Sequence, residues 1–266
     1  MQKRLDNKTA IITGSARGIG KTIAERFFIE GANIVLVDSN EEELVKTYEE
    51  FINKCKLLDL NKKKVNFIKT NVSIEKQVTK MIDFTISKFN NLHILVNNAG
   101  IAINKLIEDQ TLEEWNEILN INLTGYFLCS KYAAKEMKNN KVSKIINISS
   151  VSGQKGAIGR SAYGVSKAGI IQLTRELAVE YADYNILVNS IAPGPILTEI
   201  TNNSNSATES YIDRIPLKRF GSKESIASAA VYFGSDECDF TTGHTLNVDG
   251  GFFDAGLIFP KKDIKI

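Results

Sequence analysis

Histidine and cysteine are scarce in this chain, with two of the former and three of the latter among 266 residues. Cys55, Cys129 and Cys238 are far apart, odd in number and form no C-x-x-C pair, so neither a disulfide framework nor a zinc site is indicated. Only His93 and His244 could serve as an imidazole base. An excess of either charge is lacking too. Thirty-three Lys and Arg against 31 Asp and Glu leave a net charge of +2, which gives no reason to expect nucleic acid or an anionic membrane as partner. The run Lys62-Lys63-Lys64 lies between two periodic segments and reads as a solvated turn. No window approaches the ~18 uncharged apolar residues of a membrane span. The opening MQKRLDNKTAIITG has no long apolar stretch and does not read as a signal peptide, so the expected location is a reduced cytoplasm.

What is present is ordinary for a globular chain: 43% hydrophobic and 24% charged residues. Thr9–Thr13 reads as a buried strand and runs at once into Gly14-Ser-Ala-Arg-Gly18-Ile-Gly20. An amphipathic helix, Lys21 to Ile29, follows, and Asn33–Asp38 is the next strand. Strand, glycine-rich turn, helix and strand make the βαβ unit that binds dinucleotides. The spacing is G-x-x-x-G-x-G rather than G-x-G-x-x-G, but small residues still let backbone N–H groups and a helix N-terminus approach a pyrophosphate. Asp38, 20 residues after Gly18, stands where a carboxylate accepts both ribose hydroxyls of an adenosine. A helix-capping role for Asp38 is the plainer alternative.

Alternation continues with helix Glu41–Lys56, strand Val65–Thr70, helix Ile74–Phe89 and strand His93–Asn97. A long helical stretch, Leu112–Met137, is interrupted near Asn122-Leu-Thr-Gly125. Strand Lys144–Ser149, helix Ser161–Ala182, strand Ile186–Ile191, helix Lys223–Gly234 and strand Thr245–Gly251 complete the set. Seven strands without a linker-like shift in composition predict one doubly wound parallel sheet with helices on both faces. Ligands bind such sheets at the carboxyl ends of the strands.

Tyr163 and Lys167, four apart, share a helix face, and Ser150 lies thirteen residues before the tyrosine. Neither a phenol (pKa ~10) nor a lysine (~10.4) is a useful base at neutral pH. A fixed ammonium beside the phenol would lower the tyrosine pKa. Such a tyrosine could exchange a proton with a carbonyl or alcohol oxygen held by a serine hydroxyl.

TGSARGIG (Thr13–Gly20), NNAG (Asn97–Gly100), NLTG (Asn122–Gly125), ISS (Ile148–Ser150), YGVSK (Tyr163–Lys167) and PGPILT (Pro193–Thr198) occur in order. In these six motifs, from about Lys8 to Gly251, the sequence resembles the short-chain dehydrogenase/reductases, which have a single-domain Rossmann fold. The resemblance implies an active site of Asn122, Ser150, Tyr163 and Lys167. Tyr163 would be the proton donor or acceptor, Ser150 would orient the substrate oxygen, and Lys167 would bind the nicotinamide ribose. Asn122 would hold a water linking Lys167 to solvent. The cofactor would be met by Gly14, Ser15, Arg17, Gly18, Ile19 and Gly20, by Asp38 and Ser39, and by Asn71 and Val72. Asn98, Ala99, Gly100, Pro193, Gly194, Ile196 and Thr198, with Tyr163 and Lys167, would complete its contacts. At Asn71 the family more often has Asp, and the amide carbonyl of Asn71 would make the same contact with the adenine amino group. Arg17 is found in many members that use the phosphorylated cofactor. Asp38 opposes a 2′-phosphate by like charge, so NAD(H) is expected over NADP(H).

The resemblance also implies a substrate lid at residues 199–214, a polar and poorly periodic stretch, and a homotetramer. The apolar tail Phe252–Phe259 is expected to be buried between subunits. Val151, Gln154 and Ile158 are expected beside the substrate. The leading activity is hydride transfer between NAD and a small-molecule secondary alcohol or ketone. An NADPH-dependent 3-oxoacyl-[acyl-carrier-protein] reductase is the rival within the family. More remote are a hydrolase built on Ser166, in a near miss to G-x-S-x-G, and a nucleotide-sensing protein without catalysis.

Overall fold

β1 (Thr9–Thr13) is buried at every position, as a strand must be when both faces of a parallel sheet are covered. Its side chains still alternate. Ala10 and Ile12 join one core, which includes Phe27, Phe28, Phe51, Ile226 and Phe233. Ile11 joins the other, with Val78, Met81, Leu128 and Met137. β2 (Asn33–Asp38) repeats the division, sending Ile34 and Leu36 to the first core and Val35 and Val37 to the second. These assignments come from a computed structural model that describes residues 3–57, 61, 64–197 and 205–256.

The remaining strands are β3 (Val65–Lys69), β4 (Ile94–Asn97), β5 (Ser143–Ile148), β6 (Ile186–Pro193) and β7 (Thr245–Val248). All pair in parallel in the order β3-β2-β1-β4-β5-β6-β7. The order reverses between β1 and β4, which opens a crevice outside their carboxyl ends. Helices α1 (Gly18–Ile29), α2 (Glu41–Leu57) and α8 (Lys223–Gly234) cover one face. Helices α3 (Glu75–Phe89), α5 (Gly125–Met137) and α6 (Ser161–Glu180) cover the other. The predicted sheet is therefore the observed one, with ends displaced for local reasons. β7 stops at Val248 because Gly250 and Gly251 take φ of +66° and +86°. α1 starts at Gly18 because the glycine turn itself winds into its first turn.

The break foreseen in the long helix is a π-helical turn, Asn120–Thr124, between α4 (Leu112–Leu119) and α5. The Gly125 N–H reaches back five residues to the Asn120 carbonyl, and this extra residue per turn rotates Asn122 inward. Gly125 is obligatory there, since a Cβ would lie 2.7 Å from a Val72 methyl carbon. The polar stretch after β6, expected as a substrate lid at residues 199–214, is described only in part. Residues 198–204 lie outside the described set, but Asn205–Arg214 is a helix, α7. No helix among the described residues is long and apolar enough to cross a membrane.

Candidate active site

The turn after β1 is held by its neighbours' polar groups. Thr13 Oγ1 accepts from the Asn98 and Ala99 N–H groups at 2.9 and 3.1 Å. The Asn98 amide donates to the Thr13 and Gly14 carbonyls, both at 3.0 Å. Ser15 Oγ accepts from Val37 N at 2.8 Å and is fully buried. A Cβ on Gly20 would lie 2.2 Å from the Gly14 oxygen, and one on Gly14 2.8 Å from the Ala99 Cα. Gly18 differs: with φ +59° and nothing within 4 Å of a Cβ position, it faces open space. Ile19 turns back onto the core, and Arg17 is exposed at the N-cap of α1.

Asp38 closes the same turn from β2. One carboxylate oxygen accepts Ala16 N and the other Asn40 N, each at 3.1 Å. Asn40, not Asp38, caps α2 through the Glu43 N–H at 3.1 Å. Each Asp38 oxygen thus retains a lone pair for a ligand hydroxyl. Ser39 beside it is exposed. Asn71 differs from the expectation. Its Oδ1 already accepts from Ser73 N at 3.0 Å and Ser73 Oγ at 2.7 Å, so the carbonyl is occupied and the amide N–H₂ is the group left to offer. Val72 is buried under Gly125. Pro193 ends β6, Gly194 packs where a Cβ would meet Asp249 at 2.5 Å, and Ile196 bridges to Gly221. Thr198 lies outside the described residues.

Beyond β5, Ser150 Oγ accepts Ser152 N at 3.1 Å and lies near enough to the Tyr163 hydroxyl to favour its ionised form. Lys167 Nζ donates to the Ile148 carbonyl at 2.9 Å and stands 5.6 Å from the Tyr163 ring centre. Asn122 is fully buried. Its amide donates to the Ile101 carbonyl at 2.9 Å and to Ser166 Oγ at 3.1 Å, and its Oδ1 accepts Ile101 N at 2.8 Å. A Cβ on Gly100 would meet Asn122 Oδ1 at 3.1 Å and Lys167 Nζ at 3.7 Å. The four predicted catalytic residues therefore converge, together with Gly100, at one strand end.

The electrostatics differ from the sequence expectation. Burial pushes the Tyr163 phenol above its ordinary value, against the Ser150 hydrogen bond and the Arg160 charge, which pull it down. Burial lowers Lys167 to about 7. The ammonium expected to acidify the phenol is thus itself half neutral near neutral pH, and the cation acting on Tyr163 is Arg160. Its guanidinium carbon lies 5.2 Å from the ring centre.

Sequence reasoning missed four residues here. Tyr126 is buried and donates to the same Ile148 carbonyl as Lys167, at 3.1 Å. Gly153 lets the loop after β5 lie on α6, where a Cβ would be 2.6 Å from the Lys167 carbonyl carbon. Arg160 lies three residues before Tyr163. Tyr211 of α7 acts on the Tyr163 phenol through space and stacks near Phe220 and Phe252 at 6.2 and 5.9 Å. The start of the tail accordingly rests on its own chain, where Lys155 Nζ also binds the Phe252 carbonyl at 3.0 Å, while residues 257–266 lie outside the described set. Of the three residues expected beside substrate, Val151 is buried, Gln154 is bonded to Asn247 and Ile158 is exposed. The hydrolase reading fails. Ser166 Oγ is buried and bonded to Asn122 and the Tyr163 carbonyl, while His93 lies at the opposite end of the sheet, accepting Thr9 N.

Comparison with known proteins agrees with this geometry. A family model described as enoyl-(acyl carrier protein) reductase matches residues 14–253. A 3-oxoacyl-[acyl-carrier-protein] reductase of Aquifex aeolicus is 36% identical over 95% of this chain and 100% of its own length. Glucose 1-dehydrogenase 2 of Bacillus subtilis is 38% identical over 94% of this chain and 96% of its own. Among solved structures, a gluconate 5-dehydrogenase from Burkholderia cenocepacia in complex with NADP and tartrate superposes with a TM-score of 0.89. It is 31% identical, over 96% of this chain and 98% of that one. With its parallel sheet, its glycine turn and a Tyr163–Lys167 pair beside Ser150, the chain belongs to the short-chain dehydrogenase/reductases, oxidoreductases acting on CH–OH or keto groups.

Proposed function

We propose that the chain transfers a hydride between NAD(H) and a secondary alcohol or its ketone, with Tyr163 exchanging the proton of the substrate oxygen. The observation carrying this reading is Tyr163 beside both Ser150 and buried Lys167, whose Nζ stands 5.6 Å from the phenol ring centre. The cradle fits a nicotinamide dinucleotide. Open space before left-handed Gly18 admits a phosphate to the start of α1, and Asp38 keeps lone pairs for ribose hydroxyls. Asn71 offers its amide N–H₂ to the adenine, and Pro193, Gly194 and Ile196 line the far end.

When bound, the dinucleotide supplies or takes the hydride. Ser150 holds the substrate oxygen, and Tyr163 gives or receives its proton. A phenol raised by burial is protonated at neutral pH, so Tyr163 is ready as an acid for ketone reduction. As a base for alcohol oxidation it must first lose its proton. Lys167 keeps its place through the Ile148 carbonyl, and Asn122 fixes the Ile101 and Ser166 positions around it. Parallel kinetics with both cofactors test the cofactor choice. A kcat/KM favouring NADH supports it, and one favouring NADPH overturns it.

One observation favours the carrier-linked reductase using NADPH: Arg17 is exposed and has no ion pair among the described residues, free to meet a 2′-phosphate. Asp38 opposes that phosphate by like charge. On α6, Val179 and Glu180 are exposed, apolar and acidic where an acidic carrier needs cations. We place the enzyme in the cytoplasm as a homotetramer. Exposed Phe127, Val165 and Val179 on α5 and α6 are apolar surfaces suited to burial against other copies. A monomer at micromolar concentration would contradict that assembly.

A further inference from the structure

Arg160 is an unusual choice for its place. It is the N-cap of α6, where a side-chain oxygen is preferred and a cation opposes the helix dipole, and it makes no side-chain cap bond. Its backbone is pinned from both sides. Arg160 pairs with Lys105 as an isolated parallel bridge, and the Gly159 carbonyl accepts Lys105 N at 3.2 Å with Gly159 at φ +72°. Ser161 Oγ donates to Gln110 at 2.6 Å. The neighbouring cation, Lys105, is already paired with Glu114 at 2.6 Å. Arg160 has no ion pair among the described residues, although it is half-buried, and its charge lies on the face of Tyr163. A half-buried guanidinium that no described acid meets is left to find one, and its fork matches a carboxylate in two parallel hydrogen bonds.

We propose that Arg160 binds an anionic group of the substrate, so that the natural substrate is a hydroxy or oxo acid whose carboxylate lies on Arg160 while its reacting oxygen lies on Tyr163 and Ser150. This deepens the hydride-transfer reading and rests on it. The carboxylate is not consumed. The Arg160 contact fixes which end of the molecule faces Tyr163 and replaces the water lost from the guanidinium.

The test compares acetoacetate and 4-oxopentanoate with their methyl esters on the wild-type enzyme, Arg160→Gln and Arg160→Lys. Calorimetry with the enzyme–NAD⁺ complex, in which reduction of the oxo acids cannot proceed, gives affinities. NADH absorbance gives turnover. The wild type should bind the acid tighter than its ester by on the order of 10²-fold, as expected for a charge-assisted bidentate pair. Arg160→Gln should bring the acid-to-ester ratio to within a few-fold of one, mostly through KM, and Arg160→Lys should restore part of it. Using the ratio cancels any effect of the substitution on Tyr163 itself. Equal affinity of acid and ester for the wild type, or an unchanged ratio in Arg160→Gln, overturns the proposal. Ester turnover with no preference for the acid would overturn it while leaving the hydride-transfer reading intact. Tighter, Arg160-dependent acid binding without any turnover would sustain the anion site and count against that reading.

Discussion

The two ends of the crevice are built on opposite plans. Around β1, β2 and β4 almost every polar group already has a partner: Thr13 Oγ1, the Asn98 amide, Ser15 and both oxygens of Asp38 are bonded within the turn. Beyond β5 the groups are held against their preference. Burial raises Tyr163 and lowers Lys167 to about 7, and Arg160 has no acid among the described residues. The first end is a preformed mould, where satisfied bonds cost nothing when a ligand arrives. The second is where titration values are displaced and a cation is left unpaired, as expected where chemistry is done.

The contrast can be broken most severely at the mould. Gly20→Ala sets a Cβ 2.2 Å from the Gly14 oxygen and 2.5 Å from the Asn98 amide nitrogen, both rigid, so the turn must move. We expect a loss on the order of 3 kcal/mol, within the range for forced overpacking, read as a fall in Tm together with weakened cofactor binding. A variant as stable as the wild type would show the turn to be softer than described.

At the other end the contrast sharpens with pH. The folded value of Lys167 lies below the unfolded 10.5, so the unfolded chain holds the extra proton between about pH 7 and 10.5. Wild-type stability should therefore rise across that window through this residue and decline as pH falls back towards 7. Lys167→Met should flatten that slope and stabilise the cofactor-free protein near pH 7 by on the order of a few kcal/mol, while abolishing turnover. Denaturant unfolding from pH 7 to 10 checks it, and an unchanged slope would refute it.

Asp38→Ala removes the proposed ribose partner and two bonds of the turn. We expect NADH kcat/KM to fall by about 10²-fold, the loss of a charge-assisted pair of hydrogen bonds, with a smaller fall for NADPH. The smallest effect belongs to Arg17→Ala. It should change NADH kinetics by less than about threefold, since an exposed side chain without an ion pair among the described residues contributes little.

The fold was legible because β-branched runs, glycine turns and amphipathic helices each carry their own period; β1 and β2 fall where those periods place them, and α1 begins three residues earlier. The site was legible as a set of positions, since Tyr163, Lys167 and Ser150 sit on motifs whose elements meet at one edge. Its electrostatics were not. Whether Lys167 lowers Tyr163 depends on how much water each keeps, which is decided by Tyr126, Gly153 and the loop after β5, far from any local pattern. Arg160 stands in no motif, and its place follows only from the backbone that Lys105 and Gly159 hold. Asn71 offered the right atoms, but Ser73 took the carbonyl. The helix of α7 was hidden because its polar sequence has almost no apolar face.

The central claim is that Tyr163 passes the proton to the substrate oxygen. It is tested most directly by ketone-dependent oxidation of NADH in the wild type and Tyr163→Phe, with NADH affinity measured alongside. The account predicts a loss of kcat on the order of 10³-fold in Tyr163→Phe, within the range for a general acid, with NADH bound almost as tightly. Turnover by Tyr163→Phe within tenfold of the wild type would contradict it.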